Sequence, residues 1–347
     1  MSYAVFTQAV ARIAEHCAAA GQGEVQLVFH GGEPTLLGPI RFAGYCERIA
    51  EIFGTRLRPH LYLQTNGTLL DEAWVAVIKR YSLTVSISVD GPPAIHDAAR
   101  VDHRGRGSHE AVARGITMLT AAGVPTTLLC VLPLGTEPLE VHRHLLGLRA
   151  TAIQYLLPDY THDSIGHARR RYDTPCFDFL SPIMKEWWVN GDMKVQVEPF
   201  REMARILLGG LSRVDYFGNR PLRFLFVESD GAIEGLDVLR VCQNGSAATG
   251  LNVAEHTFMD VLERSALHRA VVFDGLPLPT DCRGCPESIT CAGGYLPHRF
   301  AQIGGFDHSS VWCDDLLLLF RQLRGLLGVS ASDTQHRRAQ FELVRTC

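Results

Sequence analysis

No apolar run in these 347 residues reaches the length needed to cross a bilayer, which excludes a transmembrane helix. The opening stretch, MSYAVFTQAVARIAEHCAAA, breaks its apolar pattern with polar and charged side chains, as an amphipathic helix does and a secretion signal does not. A cytoplasmic protein is expected. There is no basic arm, no acidic tail, no internal repeat and no low-complexity linker. The net charge is −4 with acids and bases interspersed, so neither a nucleic-acid nor a membrane partner is expected. Apolar residues make up 46% and charged residues 20%, enough for a sizeable core in one large or two modest domains.

Cysteine is not scarce. Ten are present, and their distribution matters more than their number. Without a secretion signal a disulfide framework is not expected. Cys17, Cys46, Cys130 and Cys176 are scattered and read as small buried hydrophobes. Cys282, Cys285, Cys291 and Cys313 cluster near the C-terminus, with C-x2-C-x5-C as the first part. Four soft ligands in one compact region suit either a [4Fe–4S] cluster or a tetrahedral zinc, and the spacing leaves both open.

The periodicities predict helices alternating with buried strands. Phe6, Val10, Ile13 and Cys17 recur at helical spacing behind Ser2, and Gly21 can end that helix. Strands VQLVF, HLYLQ, SLTVSISV, PTTLLCVL and TAIQYLL follow. Between them come helices over roughly 40–53, one opened by Asp71, one capped by Ser108 and stopped at Gly123, and one containing LEVHRHLLGL. This pattern implies a parallel sheet with both faces covered, in the manner of a barrel with its site at the strand ends. A parallel barrel starts with a strand, whereas this chain starts with a helix, so a first strand is expected to be missing. Beyond residue 160 come two helical stretches, around 174–190 and 199–210. FLFVESDGAIEGLDVL reads as a hairpin turning at Ser-Asp-Gly, and DDLLLLFRQLRGLL as a last helix.

Three strand ends carry polar motifs. In FHGGEPTLL, Gly31 and Gly32 let a ligand approach the backbone, and Glu33 is aimed into the barrel mouth, where it can bind an ammonium group. In QTNG, Thr65 and Asn66 offer groups suited to a ribose, although Asn-Gly is also an ordinary turn. In SISVDG, Ser86, Ser88 and Asp90 share a face. Downstream, Arg100 is a carboxylate clamp candidate, and Arg104 reads as solvated loop. His142 and His144 read as surface residues of a helix. Asp159 and His162 follow a strand and either point into the mouth or serve a turn.

GGEP, QTNG and SxDG at three successive strand ends resemble the SAM-binding barrel of the radical-SAM superfamily, and the cysteines at 282–313 resemble part of a SPASM domain. FHGGEPTLLG, LQTNGTLLD, HDAARVDHRGRGSH, LLPDYTHD and CAGGYLPHR…GFDHSSVWC together resemble the FxSxx-system, cyclophane-forming peptide maturases over about residues 2–328. The resemblance implies an α/β fold: a partial (β/α)6 barrel missing its first strand over residues 1–200, a SPASM-type iron–sulfur domain over 201–330, and a C-terminal tail over 331–347. It implies S-adenosylmethionine (SAM) held by Gly31, Gly32, Glu33, Thr65, Asn66, Ser88, Asp90 and Arg100. One auxiliary [4Fe–4S] cluster would sit on Cys282, Cys285, Cys291 and Cys313. A second auxiliary cluster is not expected, because Tyr295 stands where many SPASM proteins have a further cysteine and Cys242 is left over.

The family's C-x3-C-x2-C, which holds the catalytic [4Fe–4S] cluster, occurs nowhere in the sequence. That cluster is expected only if an upstream segment supplies the motif. The full-length enzyme implied by the resemblance forms a carbon–carbon crosslink in a ribosomally made precursor peptide through a 5′-deoxyadenosyl radical, with flavodoxin or ferredoxin as electron donor. The alternatives are a non-catalytic SAM- or peptide-binding paralogue and a zinc-stabilised structural domain.

Overall fold

The computed structural model describes residues 1–169, 173–191, 195–218, 221 and 223–346. Helix α1 (Tyr3–Ala19) begins where the Ser2 side chain accepts the Val5 N–H, and it buries Phe6, Val10 and Cys17 along one stripe. There follow β1 (Glu24–Phe29), α2 (Pro39–Phe53), β2 (Arg58–Thr65), α3 (Glu72–Arg80), β3 (Thr84–Ser88), α4 (Pro93–Ala99) and α5 (His109–Ala121). Then come β4 (Thr126–Val131), α6 (Pro138–Gly147), β5 (Ala152–Leu156) and, after helix Pro175–Asn190, β6 (Gln196–Val197). Each strand pairs in parallel with the next, giving a six-stranded sheet in sequential order.

Side chains alternate across this sheet. Leu61, Leu63, Val85, Ile87, Leu128 and Cys130 are buried beneath the helices. The opposite face is different from the sequence expectation of two covered faces. There Tyr62, Gln64 and Gln154 are only half-buried and line a cavity, and Ser86 and Ser88 are half-buried on the same face. The register aligns the inward row: Gln64 lies beside Ser86, and Ser88 beside Leu129, which is beside Gln154. A slip of one residue would turn these polar groups into the apolar layer, so the register is strongly specified.

Two local expectations change. Ser108 does precede α5, but its hydroxyl does not cap that helix. It donates to the Arg100 carbonyl at 2.9 Å and meets His96 Nε2 at 3.0 Å, because α4 occupies part of what reads as a basic loop. His142 is not a surface residue. It is 3% exposed, and its Nδ1 takes the Tyr155 hydroxyl at 2.8 Å. His144 is half-buried against His109, with 2.9 Å between their Nε2 atoms.

A smaller antiparallel sheet follows, with β7 (Phe226–Val227), β8 (Ala232–Glu234) and β9 (Ala248–Asn252). Its first turn closes with Gly231 N–H donating to Glu228 O, as the Ser-Asp-Gly signal predicts. Helix Cys313–Leu327 returns to pack on helices Pro175–Asn190 and Glu198–Leu207. Phe320, Leu319 and Trp312 therefore join the same apolar core as Phe200 and Ile183. A further helix, Ala331–Thr346, ends the described chain. No helix among the described residues is long and apolar enough to cross a membrane.

Candidate functional site

The inner face of the sheet opens into a cavity of about 1820 Å³, larger than the ~300–1,000 Å³ typical of small-molecule pockets. One wall is the C-terminal end of β1, with His30, Gly31, Gly32 and Glu33. Further lining comes from the region after the sheet, with Asp215, Tyr295 and His298.

Glu33 is built into the first wall by four donors. Its Oε1 accepts from Thr35 N at 2.9 Å, Thr35 Oγ1 at 2.5 Å and Thr65 Oγ1 at 2.6 Å. Its Oε2 accepts from the Asn66 N–H at 2.7 Å alone. One oxygen is therefore saturated and the other keeps a lone pair free of these donors. Gly31 and Gly32 have φ of +80° and +34°, and a Cβ on either would meet nothing within 4 Å. Their backbone is thus bare toward the cavity, which suits the close approach of a ligand.

The other predicted residues are placed as follows. Thr65 is 3% exposed and stands behind Glu33, its hydroxyl also accepting from Gly67 N–H at 3.0 Å. Asn66 turns its Oδ1 to Thr68 N and Oγ1, the Asx turn that its Asn-Gly sequence suggests. Ser88 lies on the inward row of β3. Gly31, Gly32 and Glu33 line the cavity, whereas Thr65, Asn66, Ser88, Asp90 and Arg100 are not among its lining residues. Arg100 grips Asp90 through Nε at 2.5 Å and Nη2 at 3.3 Å, and Asp90 also accepts the Val131 N–H at 3.1 Å. Together they lock the ends of β3 and β4. Asp159 lines the cavity, whereas His162 turns away to the Ser309 carbonyl at 2.8 Å.

Several cavity residues carry no motif in the sequence. Asp215 and Asp237 join Asp159 around Tyr295, whose hydroxyl is pushed well up by burial and then by these carboxylates. Asp215 is pushed up to about 6 by burial, with Asp159 and Asp237 adding to the rise. His298 is 1% exposed, and its Nε2 lies 3.6 Å from Asp159 Oδ1. His30 Nδ1 lies 3.9 Å from Asp237 Oδ2, which ties this corner to the wall that carries Glu33. The only available signal was position: Tyr295 replaces an expected cysteine, and Asp237 follows the hairpin.

Cys282, Cys285, Cys291 and Cys313 line one small cavity, of about 20 Å³, with Ser309, Ser310 and Leu317. Burial and the neighbouring thiols push Cys282 up to about 11, as expected where sulfurs share a dry site. Among the described residues, no three His, Cys, Asp or Glu side chains converge closely enough to hold a single metal ion. Four soft ligands lining one cavity are the donor set of a [4Fe–4S] cluster or of a tetrahedral zinc. For a catalytic cluster the residues do not fit: among the described residues, the one cysteine lining the large cavity is Cys17, 4% exposed on α1.

Residues 2–146 match the radical SAM superfamily. A cysteine-type anaerobic sulfatase-maturating enzyme of Clostridium perfringens is 26% identical over 78% of this chain and 74% of its own length. A serine-type anaerobic sulfatase-maturating enzyme of Bacteroides thetaiotaomicron is 30% identical over 80% of this chain and 70% of its own length. The solved structure of native anSMEcpe with bound AdoMet and Kp18Cys peptide shares the fold, with a TM-score of 0.82, 22% identity and coverage of 95% and 91% of the two chains. The chain belongs to the radical SAM superfamily, among the enzymes of the sulfatase-maturase type.

Proposed function

We propose that this chain binds SAM and a peptide together in its large cavity, as a peptide-modifying radical SAM protein. The reading is carried by one observation: a single cavity of about 1820 Å³ joins the Gly31-Gly32-Glu33 wall to the Asp215-Tyr295-His298 wall. That is room for a nucleotide and a peptide segment side by side. Glu33 Oε2 would take the SAM ammonium, with the bare backbone of Gly31 and Gly32 letting the methionine end lie close. Thr65 and Asn66 hold Glu33 and border the ribose. Ser88 contributes from the inward row of β3, and the Asp90–Arg100 pair keeps that strand end in place.

The modification we assign is a carbon–carbon crosslink in a ribosomally made peptide, with an external reductant such as flavodoxin or ferredoxin. The catalytic cluster supplies the electron that splits SAM in this superfamily. Its thiolate trio is not among these 347 residues, so no chemical step is derived through it. The residues present bind and orient. A second reading is a SAM- and peptide-binding protein that does no chemistry.

For the four C-terminal cysteines we infer one auxiliary [4Fe–4S] cluster. The resemblance of the four-cysteine spacing to a SPASM domain, and the one small cavity that all four line, support the cluster.

The experiment is to supply the reconstituted protein with SAM, a chemical reductant and a candidate precursor peptide, and to follow the peptide by mass. A product lighter by two hydrogens, with 5′-deoxyadenosine released, supports crosslinking. Binding of both ligands with SAM left intact supports the second reading.

A further inference from the structure

The corner of the cavity formed by Asp159, Asp215 and Asp237 has too much acid for its own partners. Among the described residues, no lysine or arginine forms an ion pair with any of the three. The basic groups within 4 Å of them are two imidazoles, His298 at 3.6 Å from Asp159 and His30 at 3.9 Å from Asp237, and Arg41 and Arg223, which also line the cavity, pair with none of the three. Arg240, which also lines the cavity, is taken by Glu228 and Glu234. Asp215 is held largely out of water beside two further, partly exposed carboxylates, so its negative charge is costly there until a cation arrives.

A second observation points the same way. His298 is 1% exposed and lines this cavity, yet both its ring nitrogens lack a hydrogen-bond partner. A buried imidazole with no partner is uncommon, because each lost hydrogen bond costs about 1–3 kcal/mol. The missing partner must come from whatever fills the cavity. A metal ion is a poor choice, since no three such side chains among the described residues converge tightly. An organic cation spread over several atoms suits the geometry better. A guanidinium or ammonium group can donate to two carboxylates and an imidazole at once.

We propose that this corner is the specificity pocket for a basic side chain, lysine or arginine, of the substrate peptide. The proposal rests on the peptide-binding reading above and adds the chemistry that selects the peptide. The acidic corner is tied through His30 to the Glu33 wall. A lysine or arginine seated there would anchor the peptide beside the nucleotide, and the residue to be modified would lie next to it in sequence.

The test is to pan the full chain against a displayed library of random heptapeptides in the presence of SAM. Lysine or arginine should be enriched at one fixed position. A synthetic version of the selected peptide with that residue replaced by norleucine should bind roughly tenfold or more weakly, since it loses hydrogen bonds to charged groups. That comparison needs no protein variant. The double variant Asp215→Asn, Asp237→Asn, checked for an unchanged circular dichroism spectrum, should lose the enrichment while keeping its affinity for SAM. Selected peptides without a basic residue overturn the proposal but leave peptide binding intact, whereas a library with no binder overturns both. Loss of SAM binding in the double variant also overturns it, because the corner would then belong to the nucleotide.

Discussion

Glu33 reaches from the end of β1 to the end of β2, where its Oε2 accepts the Asn66 backbone N–H at 2.7 Å. The two strand ends are thus joined through a carboxylate, and the same carboxylate faces the cavity. Position and charge are held by one group. Glu33→Gln would place an amide N–H against donors that now point at oxygen, and Thr65→Val would remove the 2.6 Å donor and leave Gly67 N–H unmet. Each should lower stability by about 1–3 kcal/mol, read as a lower midpoint in urea with an unchanged slope.

Asp215 predicts a pH signature with a definite sign. Its folded value is pushed from 3.8 to about 6, so between those values the folded chain binds more protons than the unfolded one. Stability from this group is present below pH 4 and is lost as pH rises through about 6. Asp215→Asn should therefore be more stable than the parent at pH 8, by about 1–3 kcal/mol, and no different near pH 4. Thermal melts across that range measure it.

His142 carries the opposite sign. Burial brings it from 6.5 down to about 4, so the folded chain binds fewer protons than the unfolded one in that window. Its contribution is present above pH 6.5 and is lost as pH falls toward 4. His142→Leu should cost about 1–3 kcal/mol at pH 7, because the Tyr155 hydroxyl loses its 2.8 Å acceptor. The cost should shrink as the solution is acidified.

The cysteine loop is tied to helix Cys313–Leu327 by a buried ion pair. Arg324 binds Glu287 through Nε at 2.6 Å and Nη2 at 2.8 Å, and Glu287 also lines the four-cysteine cavity. Removing one partner strands the other charge, at a cost of about 3–5 kcal/mol. Glu287→Gln and Arg324→Met should both unfold at lower temperature. Both should also hold less iron and sulfide after reconstitution than the parent, while Cys291→Ala should lose most of it. A parent that takes up stoichiometric zinc and no sulfide would contradict the cluster.

The strands and most helices were legible because their signals are local. Alternating strands and helices specified the sheet order, and Asp71 caps α3 by accepting the Trp74 N–H at 2.9 Å, as its sequence suggests. What escaped depends on partners distant in sequence. His142 reads as surface until Tyr155 is brought across from β5. α4 is short and lies among arginines and glycines, so its spacing is masked. β6 has two residues and β9 carries a glycine, too little pattern to detect. The Gly31-Gly32-Glu33 wall was visible as a motif. Asp215 and Asp237 were not, since an isolated aspartate carries no periodic signal and only the fold gathers them around Tyr295.

The proposed SAM site at the ends of β1 and β2 is anchored on Glu33. Calorimetric titration of SAM into the parent, Glu33→Gln and, as an exposed control, Arg104→Ala tests it most directly. One site per chain is expected in the parent and in Arg104→Ala, with affinity weakened roughly tenfold or more in Glu33→Gln. No binding by the parent, or equal binding by all three proteins, would contradict it.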